Sequence, residues 1–304
     1  MRIAIIDLGT NTFNLLIAEK SVKGDSKVLF KRKIAVKLGE GGIDKGVIAS
    51  DAYERGIQAL KEHKASLQEY NVHRYKAFAT SAIRSTKNGL NFVNDVDQQL
   101  GIKIEIIDGD KEAELIYLGV REVLEMNQSY DLIMDIGGGS TEFIIANDEG
   151  VVWAKSYQLG VSRLKEILKP NDPIPISEII HIENYIEKQL KDFFEAISKT
   201  PCLRLIGSSG SFDTIVEMIA KRFNDDFRIQ QKCAAIHQHE LDWTIKYLLE
   251  SDLNLRLNTP GLIKMRADMI VISAIFINYI LKKTGIKSVK RSKFALKEGA
   301  LSLF

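Results

Sequence analysis

The sequence contains only two cysteines, Cys202 and Cys233, among its 304 residues. Two cysteines cannot build a disulfide framework, and their spacing is not that of a metal site, so both are expected to be buried thiols in a reducing compartment. Long apolar runs are also lacking, because the longest, residues 269–281, is interrupted by Ser273 and Asn278 and is too short to cross a bilayer. The N-terminus lacks the pattern of a signal peptide. These features predict a cytoplasmic protein with no membrane partner.

The sequence also lacks a large excess of either positive or negative charge. The 42 lysines and arginines nearly balance the 40 aspartates and glutamates, which leaves a formal net charge of +2. So small a charge does not predict binding to nucleic acid or to acidic lipid, although a local basic groove for an anion stays open. The length favours about two domains, and an apolar content of 45% is enough for two cores.

Short apolar segments alternate with longer segments of helical periodicity. Strands are predicted at residues 3–6, 14–18, 28–31, 75–79, 103–107, 132–134, 142–146, 151–155 and 203–206. Helices are predicted at residues 51–70, 90–100, 111–126, 177–198, 212–220, 240–250 and 262–282. Because this alternation is typical of a sheet layered with helices, the sequence predicts an α/β fold.

An internal repeat is the most informative feature of the sequence. Residues 6–18 align without gaps with residues 134–146, and each copy has an Asp-x-Gly turn between two apolar segments. The matched turn residues are Asp7 with Asp135 and Gly9 with Gly137. Each copy continues into a second turn, at residues 23–25 and 147–150, and then into a third strand. The repeat therefore predicts two halves of the same design.

The chemistry of the repeated turn suits a phosphate and its metal ion. An aspartate at the end of a buried strand can hold a divalent cation directly or through water. A following glycine lets backbone amides approach an anion without a Cβ in the way, and hydroxyl and amide side chains add donors. Two such loops are expected to face each other across a cleft beyond the strand ends. A duplicated fold with an inactive site is the alternative.

Motifs spread over nearly the whole chain carry a resemblance to a known family. They are Asp7-Leu8-Gly9-Thr10-Asn11-Thr12, Ala79-Thr80-Ser81-Ala82-Ile83-Arg84, Gly109-Asp110-Lys111-Glu112-Ala113, Asp135-Ile136-Gly137-Gly138-Gly139-Ser140-Thr141-Glu142, Gly207-Ser208-Ser209-Gly210-Ser211 and Ala295-Leu296-Lys297-Glu298-Gly299. In this order they resemble the exopolyphosphatase / guanosine pentaphosphate phosphatase (Ppx/GppA) family of the actin, sugar kinase and heat-shock chaperone superfamily.

The resemblance implies two ribonuclease H-like (actin-like ATPase) domains flanking a central cleft. We expect residues 1–117 with 288–304 to form the first domain and residues 118–287 to form the second. The implied activity is hydrolysis of the terminal phosphoanhydride of inorganic polyphosphate or guanosine pentaphosphate, with Mg²⁺ or another divalent cation. Family habit and the apolar residues 265–281 favour a homodimer.

The resemblance also implies roles for particular residues. Glu112 falls on the family's catalytic glutamate, and Arg84 is expected to clamp phosphate oxygens beside it. The expected metal ligands are Asp7, Asp135 and Glu142. The expected phosphate-binding residues are Gly9, Thr10, Asn11, Thr12, Gly137, Gly138, Gly139, Ser140, Thr141, Gly207 and Ser208.

On the residues alone, each of these roles has a plainer alternative. Glu112 lies in the first turn of a predicted helix for which Asp110 is the expected N-cap, so its carboxylate can simply complement the helix dipole. Arg84 can be a surface arginine, and Glu142 an ordinary strand carboxylate. Residues 207–211 suit an anion at a helix N-terminus or a simple tight turn.

Three departures from the family pattern bear on substrate preference. Lys111 stands where the family commonly has a first acidic residue, and Lys297 stands where it usually has arginine. The sequence ends at Phe304, without the further helical domain of longer members, so we expect their substrate preference not to transfer. A nucleotide sensor without turnover therefore stays an alternative, as does an ATP-dependent kinase or chaperone-like ATPase of the same superfamily.

Overall fold

The computed structural model describes residues 1–21 and 26–304. The chain forms two compact units, one made of Met1–Gly119 with Leu296–Phe304 and the other of Val120–Ala295. The turn predicted at residues 23–25 lies outside the described residues. Across the part of the chain that is described, no helix combines the length and the apolar character needed to cross a membrane.

The first unit contains a five-stranded sheet in the order β3-β2-β1-β4-β5. Its strands are β1 (Arg2–Leu8), β2 (Thr12–Lys20), β3 (Ser26–Ala35), β4 (Arg74–Ala79) and β5 (Glu105–Ile106). The first three strands pair antiparallel, whereas β1, β4 and β5 run parallel to one another. The parallel strands therefore deliver their carboxyl ends to one edge of the sheet.

The second unit contains a six-stranded sheet in the order β10-β11-β9-β6-β7-β8. Its strands are β6 (Asp131–Ile136), β7 (Thr141–Ala146), β8 (Val151–Tyr157), β9 (Arg204–Ser208), β10 (Cys233–Ile236) and β11 (Ser288–Ser292). A hairpin of β6 and β7 continues into β8, and β6 runs parallel to β9. The second sheet therefore repeats the strand order of the first and adds an antiparallel edge strand.

Helices cover both sheets. They are α1 (Ser50–Glu69), α2 (Ser81–Arg84), α3 (Gly89–Leu100), α4 (Gly109–Arg121), α5 (Val161–Leu168), α6 (Ile176–Gln189), α7 (Lys191–Lys199), α8 (Ser209–Phe223), α9 (Asp226–Gln230), α10 (Gln238–Glu250), α11 (Leu253–Leu257), α12 (Ile270–Thr284) and α13 (Leu296–Gly299). Short 3₁₀ turns lie at Ile43–Lys45, Lys264–Arg266 and Ala300–Leu303. Each unit has its own apolar core between its sheet and its helices.

Two long helices predicted from the sequence are interrupted. The helix predicted at residues 177–198 is two helices, α6 and α7, which meet at Leu190. Leu190 is fully buried, as is Phe193 in the first turn of α7, so the bend brings both side chains into the core. The helix predicted at 262–282 likewise begins only at Ile270, after a 3₁₀ turn.

Strand β11 was not predicted, because its residues look polar. It lies within the range 288–304 that the sequence analysis assigned to the first domain, and it pairs with β9 and β10 in the second sheet. Its Arg291 is only 2% exposed. The guanidinium donates to the backbone carbonyls of Gln231 and Arg228, at 3.1 and 3.3 Å, so a charged side chain is accommodated in a central strand.

Candidate active site

In the first unit, three chain segments meet where the parallel strands end. Thr80, which follows β4, donates its backbone N–H to the carbonyl oxygen of Leu8 at 3.3 Å. Ile107, which follows β5, donates to the carbonyl oxygen of Ala79 at 3.1 Å. The first Asp-x-Gly turn, the start of α2 and the start of α4 are therefore neighbours at one edge of the sheet, where α/β proteins usually bind ligands.

The first turn, residues 9–12, is held by hydrogen bonds on the backbone. The Gly9 N–H donates to the Thr12 carbonyl oxygen at 3.1 Å, and a Cβ on Gly9 would lie only 3.1 Å from the same oxygen. The carbonyl oxygen of Asn11 accepts from Val36 and Lys37 at 3.0 and 2.9 Å, and that of buried Thr10 accepts from Gly39. The segment after β3 thus fixes this turn from one side.

Asp7 projects from the end of β1 directly opposite Asn14 on β2. The side-chain amide of Asn14 donates to Asp7 Oδ2 at 3.0 Å. A second, longer contact of 3.5 Å joins the same amide to the hydroxyl of Thr12. Asn14 therefore orients the carboxylate that the sequence analysis assigned to a metal, and that analysis did not identify Asn14.

Glu112 and Arg84 form an ion pair in the first unit. Arg84 Nη1 donates to Glu112 Oε2 at 2.8 Å and to the carbonyl oxygen of Ile107 at 2.7 Å. The side chain of Glu112 is 9% exposed and that of Arg84 24%, so the pair is largely withdrawn from solvent. The structure therefore brings the predicted base and the predicted phosphate clamp into direct contact.

The helix that carries Glu112 begins earlier than expected. Helix α4 starts at Gly109, and Asp108 Oδ1 accepts from the backbone N–H of Lys111 at 2.8 Å. Asp108 therefore fills the capping role that the sequence analysis gave to Asp110. Lys111, which departs from the family pattern, forms an ion pair with Glu114 at the protein surface, with 2.8 Å between Nζ and Oε2. Its charge is therefore engaged with a surface carboxylate.

The second turn, residues 137–140, repeats the backbone geometry of the first. The Gly137 N–H donates to the Ser140 carbonyl oxygen at 3.0 Å, as Gly9 does to Thr12. The carbonyl oxygens of Gly137 and Gly138 accept from the first residues of α5, and that of Gly139 accepts from the side chain of Arg163. Among the described residues, the N–H groups of Gly138, Gly139 and Ser140 donate to no protein acceptor.

Asp135, at the end of β6, is held by two serine hydroxyls. Ser208 Oγ and Ser209 Oγ both donate to Asp135 Oδ2, at 2.6 and 2.7 Å. Ser208 therefore orients Asp135 instead of capping α8 with its hydroxyl. Ser209 has a φ of 65°, a conformation that non-glycine residues rarely adopt. Gly207 has no room for a side chain, since a Cβ would lie 2.1 Å from the Phe212 ring.

Glu142 lies directly opposite Asp135 in the β6–β7 pair, so both carboxylates are on the same face of the sheet. Glu142 is 1% exposed, and its Oε1 accepts from Ser156 Oγ at 2.6 Å. The hydroxyl of Thr141 donates to the Leu159 carbonyl oxygen at 3.1 Å. Two buried, hydroxyl-oriented carboxylates side by side are oxygen ligands of the kind that Mg²⁺ takes.

No group of three or more histidine, cysteine, aspartate or glutamate residues in the described ranges is arranged to hold a metal ion by itself. Magnesium commonly uses one or two protein carboxylates and completes its shell with water and substrate phosphate. The residues of the second unit therefore fit a magnesium ion only in that shared form.

The C-terminal motif packs against α4 within the first unit. Glu298 is buried, and its carboxylate contacts Lys31 at 3.1 Å and Lys297 at 3.3 Å. A Cβ on Gly299 would lie 1.9 Å from the carbonyl oxygen of Leu115, so α13 touches the backbone of α4. Lys297 thus serves an ion pair within its own motif, in the position where the family usually has arginine.

Sequence reasoning missed several residues that orient these groups. They are Asn14, Ser156 and Arg163. Their contacts join residues that are distant along the chain or differ between the two copies, so neither motif nor periodicity identified them. Ser209 belongs to a motif that the sequence analysis recognised, but its contact with Asp135 was not predicted. The feature of the sequence that comes closest to indicating these residues is a small polar residue after each strand that lies beside an Asp-x-Gly turn.

The comparisons with known proteins agree with these observations. The family model described as the Ppx/GppA phosphatase family matches residues 16–302. An exopolyphosphatase of Cytophaga hutchinsonii, known from its crystal structure, is 36% identical, with a TM-score of 0.96 over 99% of this chain and 96% of that one. An Aquifex aeolicus member of the Ppx/GppA family is 27% identical, with a TM-score of 0.81 over 100% of this chain and 97% of that one.

A third relative differs in length. The guanosine-5'-triphosphate,3'-diphosphate pyrophosphatase of Pseudoalteromonas atlantica is 31% identical over the aligned region. That region covers 74% of this chain and 45% of that protein. The family match and the first crystal structure each cover most of the present chain. The chain therefore belongs to the Ppx/GppA phosphatase family.

Proposed function

We propose that this protein hydrolyses the terminal phosphoanhydride bond of inorganic polyphosphate, guanosine pentaphosphate or both. The observation that carries the proposal is the ion pair of buried Glu112 with partly buried Arg84, located where the strand ends bring it next to the first Asp-x-Gly turn. The relatives named above as an exopolyphosphatase and as a guanosine pentaphosphate-type pyrophosphatase support this substrate class.

In the proposed reaction, Glu112 acts as the general base. Its carboxylate accepts a proton from a water molecule while the water oxygen forms a bond to the terminal phosphorus. The bond between that phosphorus and the bridging oxygen breaks, and the products are orthophosphate and a chain shorter by one phosphate. A positioned general base typically contributes about 10²–10⁴-fold to the rate.

Arg84 holds Glu112 in place and binds phosphate in this proposal. Its hydrogen bonds to Glu112 and to the Ile107 carbonyl fix the guanidinium at the strand ends. A guanidinium so placed can donate to phosphate oxygens and offset the negative charge that develops in the transition state.

The two repeated turns are proposed to bind phosphate groups through their backbones. In the first turn these residues are Gly9, Thr10, Asn11 and Thr12. In the second they are Gly137, Gly138, Gly139, Ser140 and Thr141, with Gly207 and Ser208 beside them. Buried N–H groups without a protein acceptor are costly unless water or a ligand accepts from them, and successive N–H groups in a turn form concave anion sites. Gly138 and Gly139 are buried and have this property.

Mg²⁺, or another divalent cation, is the proposed cofactor. Asp135 and Glu142 are the proposed metal ligands of the second unit, and Asp7 is the proposed metal ligand of the first unit. Such an ion supplies positive charge that stabilises phosphate oxygens. Asn14 orients Asp7, and Ser208 with Ser209 orients Asp135. Oriented carboxylates of this kind bind metal better than mobile ones.

The role of Glu112 is tested by the Glu112→Gln variant, which keeps the side chain's shape and removes the base. Phosphate release from polyphosphate and guanosine pentaphosphate is measured for this variant and for wild type, and kcat is expected to fall by about 10²–10⁴-fold. Glu114→Gln is the matched control, because Glu114 lies in the same helix but is exposed. Equal release by wild type and Glu112→Gln would overturn the assignment.

A further inference from the structure

The second Asp-x-Gly turn is held from one side by the N-terminal turn of α5. Val161 N–H donates to the Gly137 carbonyl oxygen at 3.0 Å, and Ser162 N–H to that of Gly138 at 2.9 Å. Arg163 donates twice, from its backbone N–H to Gly138 at 3.1 Å and from its side-chain Nε to Gly139 at 2.9 Å. Three successive carbonyl groups of the turn therefore point toward one helix start.

The peptide geometry fixes where the N–H groups of the turn point. The only cis peptide bond in the described residues is that between Asp172 and Pro173, so the peptides of the turn are trans. In a planar trans peptide the C=O and the N–H of the next residue point in opposite directions. Because the carbonyls of residues 137–139 face α5, the N–H groups of Gly138, Gly139 and Ser140 face away from it, and none has a protein acceptor among the described residues.

We infer that α5 and the Arg163 side chain are positioning elements, which aim three consecutive N–H groups of residues 138–140 at one phosphate oxygen. Arg163 sets the last peptide of the turn, because its Nε is the only donor that the structure gives, within the described residues, to the Gly139 carbonyl. The inference rests on the proposed function, since it explains how that function's second phosphate loop is made ready before the substrate arrives.

Packing and burial show that this arrangement is built into the fold. Arg163 is 7% exposed, and burial lowers the pKa of its guanidinium, which reflects the cost of placing a charge there. Gly160 precedes α5, and a Cβ on it would lie 2.3 Å from the backbone of Gly138 and Gly139. The turn thus rests directly on the helix start, and only glycine at position 160 leaves room for it.

The rest of α5 is anchored away from the turn. Lys165 Nζ donates to Asp268 Oδ2 at 2.6 Å, and Ser162 Oγ contacts Met269 Sδ at 3.1 Å. These contacts tie the helix to the segment that leads into α12. A helix fixed in this way can hold the turn rigid, and rigid donors bind an anion without an ordering cost.

The test follows the backbone amide signals of residues 138, 139 and 140 in the ¹⁵N-labelled 304-residue protein while inorganic phosphate is added. In wild type, these three signals are expected to shift together with one dissociation constant. In Arg163→Met the Ser140 shift is expected to disappear, and the dissociation constant for phosphate to rise by about tenfold, as for one charge-assisted hydrogen bond. Arg163→Lys separates charge from positioning, because it keeps the charge but moves the donor atom.

Arg204→Met is the matched control. The Arg204 side chain is also largely withdrawn from solvent, at 20% exposed, and its Nε donates to Asp131 Oδ1 at 2.7 Å. It lies at the start of β9, whereas Ser208 lies at the other end of that strand. Urea unfolding of both methionine variants measures the loss of stability. The inference requires that Arg163→Met weakens phosphate binding and that Arg204→Met, at a comparable loss of stability, does not.

Several outcomes would overturn the inference. One is phosphate binding at wild-type affinity by Arg163→Met, or by Arg163→Lys while Arg163→Met binds weakly. A second is that the control variant loses as much phosphate affinity as Arg163→Met does. A third is that phosphate binds without shifting the amide signals of residues 138–140. Failure of the proposed function would give a different experimental result. In that case wild type would still bind phosphate at the turn but release none from polyphosphate or guanosine pentaphosphate.

Discussion

At the scale of single residues, the proposed chemistry depends on a partly buried arginine that makes two hydrogen bonds at once. Arg84 Nη1 joins Glu112 to the Ile107 carbonyl. Lysine lacks the planar guanidinium that can also bind phosphate oxygens bidentately. We therefore expect Arg84→Lys to lower kcat by about 10²-fold or more, as for loss of a transition-state donor. Arg2→Lys, at an exposed arginine at the start of β1, is the control. Equal kcat in Arg84→Lys and wild type would show that Arg84 has no part in the reaction.

A second residue-scale prediction concerns stability and pH. His63 in α1 is completely buried, and neither of its ring nitrogens has a hydrogen-bond partner of normal geometry among the described residues. Burial lowers its pKa to about 4, against a smaller opposing effect of the Phe13 backbone. As the pH falls below 6.5, the usual pKa of histidine, His63 therefore takes up a proton in the unfolded chain before it does so in the folded protein. The stability contributed by the neutral ring is complete above that pH and is lost toward pH 4.

The measurement is urea unfolding between pH 7.5 and pH 4.5. The free energy of unfolding is expected to fall by up to about 3 kcal/mol across this range through His63 alone, at roughly 1.4 kcal/mol per pH unit. His63→Phe should flatten this part of the profile, while His73→Asn, which changes an exposed histidine, should not. Parallel profiles for wild type and His63→Phe would contradict the prediction.

The limits of sequence reasoning are clearest at this scale. Asp7 and Asp135 could be identified because they recur at matched positions of a repeat. The roles of Asn14 and Ser209 in orienting these two carboxylates could not be predicted, because one copy uses an amide on the next hairpin strand and the other uses hydroxyls from a different strand end. The assigned roles of the site residues stay predictions until the variants above are measured.

At the scale of elements, a close approach of two helices connects the C-terminus to the helix of the proposed base. Helix α13 contacts α4 at Gly299, where a Cβ would lie 1.9 Å from the Leu115 carbonyl oxygen. Gly299→Ala must therefore displace one helix. We expect it to lower the free energy of unfolding by about 1–3 kcal/mol through overpacking. It should also lower kcat by shifting Glu112.

The control for this prediction is Gly101→Asn, since Gly101 lies in the same unit, has a positive φ that asparagine tolerates, and has open space around it. Urea unfolding and kcat are measured together. If Gly299→Ala matched wild type in both, the packing of α13 on α4 would be irrelevant to the site.

Elements were predicted well where apolar spacing was regular and poorly where tertiary contacts decide. Strands β1, β2, β6 and β7 coincide with predicted segments, because their runs of apolar residues are buried. Strand β11 and helix α5 were missed. The former carries a buried arginine whose acceptors come from another segment, and the latter is a short helix whose first turn is fixed by its contacts with the repeated turn.

At the scale of the whole molecule, the predicted α/β fold with two similar halves and the predicted family are both confirmed. Each unit repeats one hairpin with an Asp-x-Gly turn, but each supports it differently. The segment of residues 36–39 holds the first turn, and the start of α5 holds the second. Duplication thus preserved the part proposed to bind phosphate and left its support free to diverge.

The measurement that tests the central claim most directly is phosphate release by the 304-residue protein from long-chain polyphosphate and from guanosine pentaphosphate, side by side, with magnesium and with chelator. Our account predicts release from at least one substrate, dependent on magnesium and lost in Glu112→Gln but not in Glu114→Gln. Absence of release from both substrates would contradict it and would favour a protein that binds such nucleotides without turnover.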